Sequence, residues 1–261
     1  MTMRVEEISI KKNVVKISLG HRNLISLEFK LQPIVDPRSY TISSYEVLSH
    51  IVSETGKSLD NEKFFEYVND DFLKVVFLHQ IRFLNDNLSK FNLSVSLNLP
   101  LRCLLDSYFV DDVIKSTKNK IIIEVTKIDS IKELNAAKKN IVKLKKQGHQ
   151  FWLDDYHHDE KLKTSALQCI DWDAIKLDKS YLLYQDGLTM IGMLIPLLKF
   201  HSKKIIVEGV ETSSQRVAFL HPEVFHQGYN YYYPLSLSET LDLLNFREIK
   251  ETPRFETVLS A

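Results

Sequence analysis

The sequence has few cysteines, no excess of charge of either sign and no long apolar run. Only Cys103 and Cys169 occur among 261 residues, without CxxC spacing. A disulfide scaffold is therefore excluded, and two buried thiols in a reducing compartment are expected. The 34 basic and 34 acidic side chains cancel, so nothing overall attracts a DNA or RNA polymer or an anionic membrane. Any phosphate chemistry must be local.

The N-terminus and the longest apolar stretch carry no targeting or membrane signal. Charged residues interrupt the first 15 positions every few residues, which excludes the apolar core of a signal peptide. The apolar segment Gly187–Phe200 contains Pro196 and is shorter than the roughly 20 residues that span a bilayer. The sequence predicts a cytoplasmic protein without a membrane partner.

Short β-branched or aromatic runs alternate with helical patterns along the chain. An apolar stripe from Ile131 to Leu144, followed by Gly148, predicts a helix and its C-cap. Residues 61–88 are also helical in pattern, with a break near Asn69. The strand candidates are Phe29–Val35, Thr41–Leu48, Val95–Leu99, Ile121–Val125, Phe151–Leu153, Ala174–Leu177, Lys204–Val207 and Val224–His226.

This alternation predicts an α/β fold, and about eight strands in a chain of this length favour a closed TIM-like (β/α)8 barrel. The first two runs are joined by a turn rather than a helix, so the first strand is expected to be antiparallel. We place the barrel domain at residues 29–250. Residues 1–28 form an N-terminal extension that adds a helix or an edge strand, and residues 251–261 form a C-terminal tail.

Polar side chains lie at the ends of successive predicted strands. The C-terminal ends of barrel strands meet at one face, where active sites are built. Alone, each of these residues is more often a helix cap, a turn residue or a surface ion-pair partner; together they suggest a site. They are Glu46, Asn98, Glu124, Asp154, Asp155, Lys176, Glu208 and Gln227.

Five carboxylates at one barrel mouth repel one another unless cations neutralise them. Oxygen ligands from Asp, Glu and Asn suit Mg²⁺ or Mn²⁺. The adjacent pair Asp154 and Asp155 could bridge two such ions, the arrangement that hydrolyses phosphodiesters. Lys176 could orient or deprotonate the attacking water, or neutralise developing phosphate charge.

Seven short blocks, in order, resemble the EAL domains, bacterial phosphodiesterases that linearise cyclic di-GMP. They cover roughly residues 29–240, and the signature Glu-Ala-Leu appears as Glu46-Val47-Leu48. The resemblance implies a barrel with an antiparallel first strand, two Mg²⁺ or Mn²⁺ ions, cyclic di-GMP as substrate and linear pGpG as product. The blocks are LQPIVDPRSYTISSYEVLSH, SVSLNLP, IIIEVTK, FWLDDY, DWDAIKLDKSYL, IIVEGVET and HQGYNYYYPLS.

The resemblance also implies roles for individual residues. The first metal would be held by Glu46, Asn98, Glu124 and Asp154, and the second by Asp154, Asp155 and Glu208, directly or through water. Glu46, Lys176 and Gln227 would be catalytic, with Lys176 and Gln227 positioning the nucleophilic water. The substrate-binding and supporting positions fall on Gln32, His50, Glu211 and Gln227.

The chain departs from the family at three places. A loop usually containing glycines is His157-His158-Asp159, and these residues are expected to adopt positive φ only at a conformational cost. Lys127 replaces a supporting glutamate, and His50 replaces an arginine that grips a phosphate. The resemblance also makes a homodimer through the face near this loop a candidate assembly.

Two further motifs keep alternative interpretations. His157 and His158 are expected to be solvated or hydrogen-bonded, because neighbours on an extended loop point apart and at most one would reach a shared ion. The segment Tyr229–Pro234 either stacks guanine bases or packs as a strand against a helix, and we favour packing.

We therefore predict a metal-dependent cyclic di-GMP phosphodiesterase. A catalytically weak or inactive domain that binds cyclic di-GMP is the alternative, because the loop and His50 are altered. A regulator that has lost the nucleotide and binds only a protein partner is a third class. The complete set of metal-ligand residues argues against it.

Overall fold

The computed structural model describes residues 7–11, 14–19 and 23–251. Strands and helices alternate over most of this range, as predicted. The strands are β1 (Glu7–Lys11), β2 (Val14–Leu19), β3 (Asn23–Val35), β4 (Ile42–Ser53), β5 (Val95–Leu99), β6 (Ile122–Val125), β7 (Gln150–Tyr156), β8 (Ala174–Leu177), β9 (Lys204–Val207) and β10 (Val224–His226). The helices are α1 (Asn61–Tyr67), α2 (Asp70–Asn87), α3 (Ser107–Ser116), α4 (Ile131–Lys146), α5 (Lys161–Ala166), α6 (Gly187–Leu198), α7 (Ser213–Ala218) and α8 (Leu237–Glu251).

Strands β3 to β10 close into an eight-stranded barrel. From β4 to β10 each strand pairs in parallel with the next, whereas β3 is antiparallel to both β4 and β10. The β3–β4 pairing closes the sheet. The predicted TIM-like barrel and its antiparallel first strand are confirmed.

The described part of the N-terminal segment consists of strands. Strands β1 and β2 pair antiparallel, and β2 pairs with β3 from Glu28 back to Asn23. Strand β3 continues without a break to Val35, where it pairs with His226 of β10. One long strand therefore serves both the N-terminal sheet and the barrel.

The predicted helix boundaries arise from local capping. The Asn69 side chain accepts a hydrogen bond from the Phe72 amide and starts α2 after the expected break. Ser130 caps α4 in the same way, and the apolar stripe of that helix buries Leu134 and Leu144. Gly148 follows this helix with φ +88°, the left-handed conformation of a C-terminal cap.

The barrel interior consists of two layers of side chains. The lower layer is mainly apolar, with the buried serines Ser44 and Ser96 at the equivalent positions of β4 and β5. Each strand then places a polar residue two positions nearer the mouth, because alternate residues share a face. For example, Trp152 is followed by Asp154, and Ala174 by Lys176. The lower layer contains Ile34, Ile122, Trp152, Ala174, Ile206 and Phe225. The alternation of the strands thus builds the candidate site directly above an apolar floor.

Both cysteines are free thiols, as predicted. Cys103 is fully buried, and burial raises the pKa of its thiol to about 12. Cys169 is only partly buried, so the expectation of two buried thiols is half correct. Within the described ranges, no helix combines the length and apolar character needed to cross a bilayer.

His226 predicts a pH-dependent loss of stability. Burial lowers the pKa of this histidine to about 4, and its Nδ1 lies 2.9 Å from Tyr231 Oη. The unfolded chain takes up this proton near pH 6.5, so stability is complete above that pH and falls as the pH drops toward 4. The loss attributable to His226 is at most about 3 kcal/mol. Urea unfolding at several pH values should show a flatter profile for His226→Gln than for the wild type; parallel profiles would contradict this prediction.

Candidate metal centre at the mouth of the barrel

The polar layer brings residues from all eight barrel strands to one place. Each side chain comes from a strand or from the residue directly after it, so the closed sheet fixes its position. This layer contains Gln32, Glu46, Asn98, Glu124, Asp154, Lys176, Glu208 and Gln227.

Lys176 lies at the centre of this layer and is almost completely buried. Its Nζ lies 3.1 Å from Glu46 Oε2 and 2.6 Å from Glu124 Oε2. The same atom lies 3.1 Å from Asp154 Oδ1 and 2.7 Å from Glu208 Oε1. Burial alone would lower the pKa of this lysine, but the carboxylates, Asp154 first, raise it well above its usual value. The ammonium therefore stays charged.

Glu46 is the most extensively hydrogen-bonded acid of the layer. Asn98 Nδ2 donates to one of its oxygens at 2.6 Å, and Gln227 Nε2 donates to the other at 2.6 Å. Burial favours the protonated form, yet the Lys176 charge and these hydrogen bonds leave the pKa of Glu46 below its usual value. Glu46 is therefore ionised at neutral pH.

The other acids are held less easily in the ionised form. Burial and the neighbouring carboxylates raise the pKa values of Glu124 and Glu208 well above the usual value. Burial and the Asp154 charge raise the pKa of Asp155 to about 6. One ammonium group contacts the four carboxylates of the described layer, and Asp155 adds a fifth carboxylate beside them, so further positive charge would stabilise the site.

The oxygen atoms of the layer fit hard divalent cations. Asn98 Oδ1, Glu124 Oε1 and Gln227 Oε1 are buried without a hydrogen-bond partner in the described part of the chain. Oxygens of Asp154, Asp155 and Glu208 lie within 4.8 Å of one another. Unpartnered carboxylate and amide oxygens are the donors that Mg²⁺ and Mn²⁺ prefer.

Asp155 occupies a bulge in β7 and has a positive φ of +49°. Lys163 of α5 donates to its backbone carbonyl at 2.6 Å, and the Lys163 side chain is buried. This contact holds a conformation that costs energy for a residue with a side chain. Sequence reasoning missed Lys163, since a lysine in a helix is ordinarily solvated.

Gln227 is positioned by the close approach of two backbones. A Cβ atom at Gly228 would lie 2.2 Å from the carbonyl oxygen of Val210, so only glycine fits. The Val210 amide donates to the Gln227 carbonyl at 3.1 Å. Gln227 Nε2 also lies 3.2 Å from Gln32 Oε1, which brings Gln32 into the layer.

A cleft of about 570 Å³ opens above the acids. Helices α1 and α2 form one wall through Phe65 and Gln80, and Arg102 and Lys127 contribute positive charge. Arg102 is paired with Asp70 and Asp129. Of these wall residues, sequence analysis singled out only Lys127, as a departure from the family pattern, because the approach of the others depends on how the helices pack.

His50 and Glu211 lie outside this lining. His50 pairs with Glu28 in the β3–β4 ladder, four residues beyond Glu46 along β4. Glu211 is exposed after β9, and its amide donates to Gln215 Oε1 at 2.8 Å. The structure therefore brings Gln227 into contact with Glu46 and Gln32 into contact with Gln227, but it does not bring His50 or Glu211 to the acids.

The loop after β7 differs in two respects from what the sequence predicted. Among the described residues, His157, His158 and Asp159 do not adopt positive φ, and the strained residue is Asp155. The two imidazoles also do not point apart, since their ring centroids are 4.8 Å apart. Both rings lie against Tyr181, which draws them to the same side.

The tyrosine-rich segment is a turn, so its assignment as a packed strand was wrong. Tyr229 and Tyr233 are exposed, and their rings stack at 4.4 Å. Tyr231 instead packs against His226 and Tyr40. In this segment Tyr229 and Tyr233 form an exposed stacked pair, whereas Tyr231 packs against neighbouring side chains.

The EAL domain family matches residues 19–234. The Escherichia coli (strain K12) protein called probable cyclic di-GMP phosphodiesterase PdeB is 30% identical over 108 residues, which cover 41% of this chain and 20% of that protein. The matched region thus spans about a fifth of that relative's length.

Two solved structures share the fold. An EAL domain protein from Listeria monocytogenes EGD-e has a TM-score of 0.66 and 23% identity, covering 84% of this chain and 92% of that one. Klebsiella pneumoniae BlrP1, a calcium and cyclic di-GMP complex, has a TM-score of 0.63 and 22% identity, covering 80% of this chain and 56% of that one.

The structure is a closed barrel, and the acidic residues at its mouth would be stabilised by bound cations. Because the family match covers most of the chain, the protein belongs to the EAL-domain family, which comprises cyclic di-GMP phosphodiesterases that use divalent metals.

Proposed function

We propose that the chain hydrolyses cyclic di-GMP to linear pGpG with two divalent cations, Mg²⁺ or Mn²⁺, in the cytoplasm. The observation that carries this proposal is the layer of four carboxylates around one lysine, with Asp155 beside it, beneath an open cleft. Family membership supports it, as does the complex of BlrP1 with calcium and cyclic di-GMP.

The ligand assignment follows the family resemblance. Asp154 is assigned to both cations and could bridge them. When bound, the cations would supply an activated water and stabilise the leaving oxygen. The first cation would be held by Glu46, Asn98, Glu124 and Asp154, and the second by Asp154, Asp155 and Glu208.

The chain's own residues position the reacting groups. Lys176 stays protonated in its buried site, so its ammonium can donate a hydrogen bond to the attacking water or to a phosphate oxygen. Gln227 is fixed between Glu46 and Gln32 and orients the same water through its amide. Arg102 and Lys127 line the cleft that would receive the phosphates, where Asp70 and Asp129 already neutralise part of their charge.

Incubation of the purified chain with cyclic di-GMP and Mn²⁺ tests the proposal. We expect linear pGpG, measured by chromatography, and loss of product when a chelator removes the metal. Absence of product across titrations of pH, Mg²⁺ and Mn²⁺ would refute the enzymatic function.

A cyclic di-GMP binding module is the second candidate. His50, which stands where the family has a phosphate-gripping arginine, lies away from the cleft, and this favours weak turnover. Calorimetry that shows binding of cyclic di-GMP without product would support this candidate. Turnover at ordinary enzyme rates would exclude it as the main role.

We also propose a homodimer. Helix α6 exposes Met193 and Leu197, and Phe200 directly after it is 86% exposed. Tyr184 is also exposed and precedes the first residue of this helix, and its ring lies 6.1 Å from that of His157 in the altered loop. Light scattering of the wild type and of Leu197→Glu tests the dimer, which the added charge should dissociate; a monomeric wild type would refute it.

Lys163 is predicted to support metal binding through Asp155. Lys163→Met removes the donor that holds the Asp155 carbonyl, so we expect Mn²⁺ affinity to fall about 10- to 100-fold. Calorimetric Mn²⁺ titration measures this directly. Lys163→Arg should restore part of the affinity, and Lys161→Met, an exposed change on the same helix, is the control. Unchanged Mn²⁺ affinity in Lys163→Met would contradict the assigned role.

A further inference from the structure

A second group of ligand atoms lies outside the acidic layer, on the loop that follows β7. One ring nitrogen from each of His157 and His158 and one Asp159 oxygen lie within 4.8 Å of one another. His158 Nε2 is 3.1 Å from Asp159 Oδ1, and His157 Nδ1 is 3.8 Å from Asp159 Oδ2. Two ligands of one ion bonded at about 2.1 Å are separated by up to about 4 Å, so small rotations would bring these atoms around one ion.

Tyr181 holds both imidazoles in place. The His157 ring stacks on the Tyr181 ring with centroids 4.5 Å apart and an interplanar angle of 19°. Tyr181 Oη accepts a hydrogen bond from the His158 amide at 2.7 Å and lies 2.8 Å from His158 Nδ1. Tyr181 itself is fully buried. A buried partner on one ring nitrogen orients the other nitrogen of a metal-binding histidine.

An independent observation points to a missing partner for His157. Its Nε2 is buried and has no hydrogen-bond partner within the described residues, and its side chain is only 12% exposed. A buried nitrogen without a partner is costly. The other nitrogen of this ring, Nδ1, accepts a hydrogen bond from the Asp159 amide at 3.4 Å and is the one that faces the Asp159 carboxylate. The imidazole is therefore oriented toward Asp159 by Nδ1, and its Nε2 is the atom that lacks a partner.

We propose that His157, His158 and Asp159 bind one borderline transition-metal ion, of which Zn²⁺ is the prototype. Two imidazoles and one carboxylate suit Zn²⁺, whereas the all-oxygen layer suits Mg²⁺ or Mn²⁺. Because Asp159 is exposed, water can occupy the remaining coordination positions of the ion. This site is additional to the two cations of the proposed function and has a different ligand chemistry.

The position of the site gives it a regulatory consequence. His157 follows Asp155 by two residues and begins the loop, residues 157–160, that connects β7 to α5. An ion on the histidines fixes the loop that leaves the acidic layer. Occupancy by Zn²⁺ therefore alters the affinity of Asp155 for its own cation.

Zn²⁺ titration in excess Mg²⁺ tests the proposal. Isothermal calorimetry of the full chain should show one Zn²⁺ site, and binding should weaken by about tenfold or more in Asp159→Asn and in His158→Ala. Asp159 is 76% exposed, so its substitution preserves the fold. His201→Ala, at the end of α6, is the matched control and should bind as the wild type does.

Asp154→Asn separates this site from the acidic layer. That variant should keep the Zn²⁺ site, and Co²⁺ should give a visible absorption band that Asp159→Asn loses. Unchanged Zn²⁺ binding in Asp159→Asn and His158→Ala would overturn the proposal. Loss of Zn²⁺ binding in Asp154→Asn would overturn it too, by assigning the ion to the acidic layer.

Discussion

Asp154→Asn is expected to reduce hydrolysis of cyclic di-GMP by at least about 100-fold. Asp154 is the carboxylate assigned to both cations, and an amide cannot bridge two metals as a carboxylate does. The substitution also removes one of five crowded negative charges. The free energy of unfolding should therefore stay unchanged or rise while activity is lost. Turnover of cyclic di-GMP and urea unfolding in the presence of a chelator measure the two effects.

The control for this variant is Asp112→Asn, which removes an exposed carboxylate from α3. It should leave both turnover and stability as they are in the wild type. Normal turnover in Asp154→Asn would refute the assigned metal centre. A large loss of stability in that variant would show that Asp154 is held for structural reasons.

Lys176→Met is expected to have the largest effect on stability. It removes the one ammonium group in contact with Glu46, Glu124, Asp154 and Glu208, and leaves buried carboxylates uncompensated. Breaking a buried ion pair on one side costs about 3–5 kcal/mol. Urea unfolding in a chelator should show this loss. Added Mn²⁺ should recover part of it, because the cation supplies the missing positive charge.

Lys204→Met is the matched control, since Lys204 is a second lysine in the same barrel. Its Nζ contacts Ser43 Oγ at 2.8 Å and lies over the rings of Trp152 and Phe225. Burial lowers the pKa of Lys204 to about 8, so an apolar replacement should cost far less than Lys176→Met. Equal losses for the two variants, or no recovery with Mn²⁺, would contradict the charge argument.

The barrel and its acidic mouth could be predicted because both depend on the period of a strand. Runs such as Val95–Leu99 and Ala174–Leu177 match the observed strands residue for residue. A polar residue near the end of each run then enters one layer, since closure of the sheet brings the strand ends together. The positions of Glu46, Asn98 and Lys176 follow from this geometry.

The remaining features depend on contacts between distant segments, which periodicity does not report. Lys163 reaches the Asp155 carbonyl only because α5 packs back on β7. The two histidines face the same way because Tyr181, from a later part of the chain, lies beneath them. The length of β3 also exceeded expectation, since its N-terminal half is stabilised by β2 rather than by the barrel.

Beneath the acids, a mainly apolar layer of side chains fills the barrel interior. Trp152, Ile206 and their neighbours fill the lower half of the interior and belong to a separate apolar cluster. Substrate, water and product must then share the cleft above Glu46 and Lys176. A product that leaves slowly excludes the next substrate molecule, so linear pGpG should act as a competitive inhibitor of its own formation.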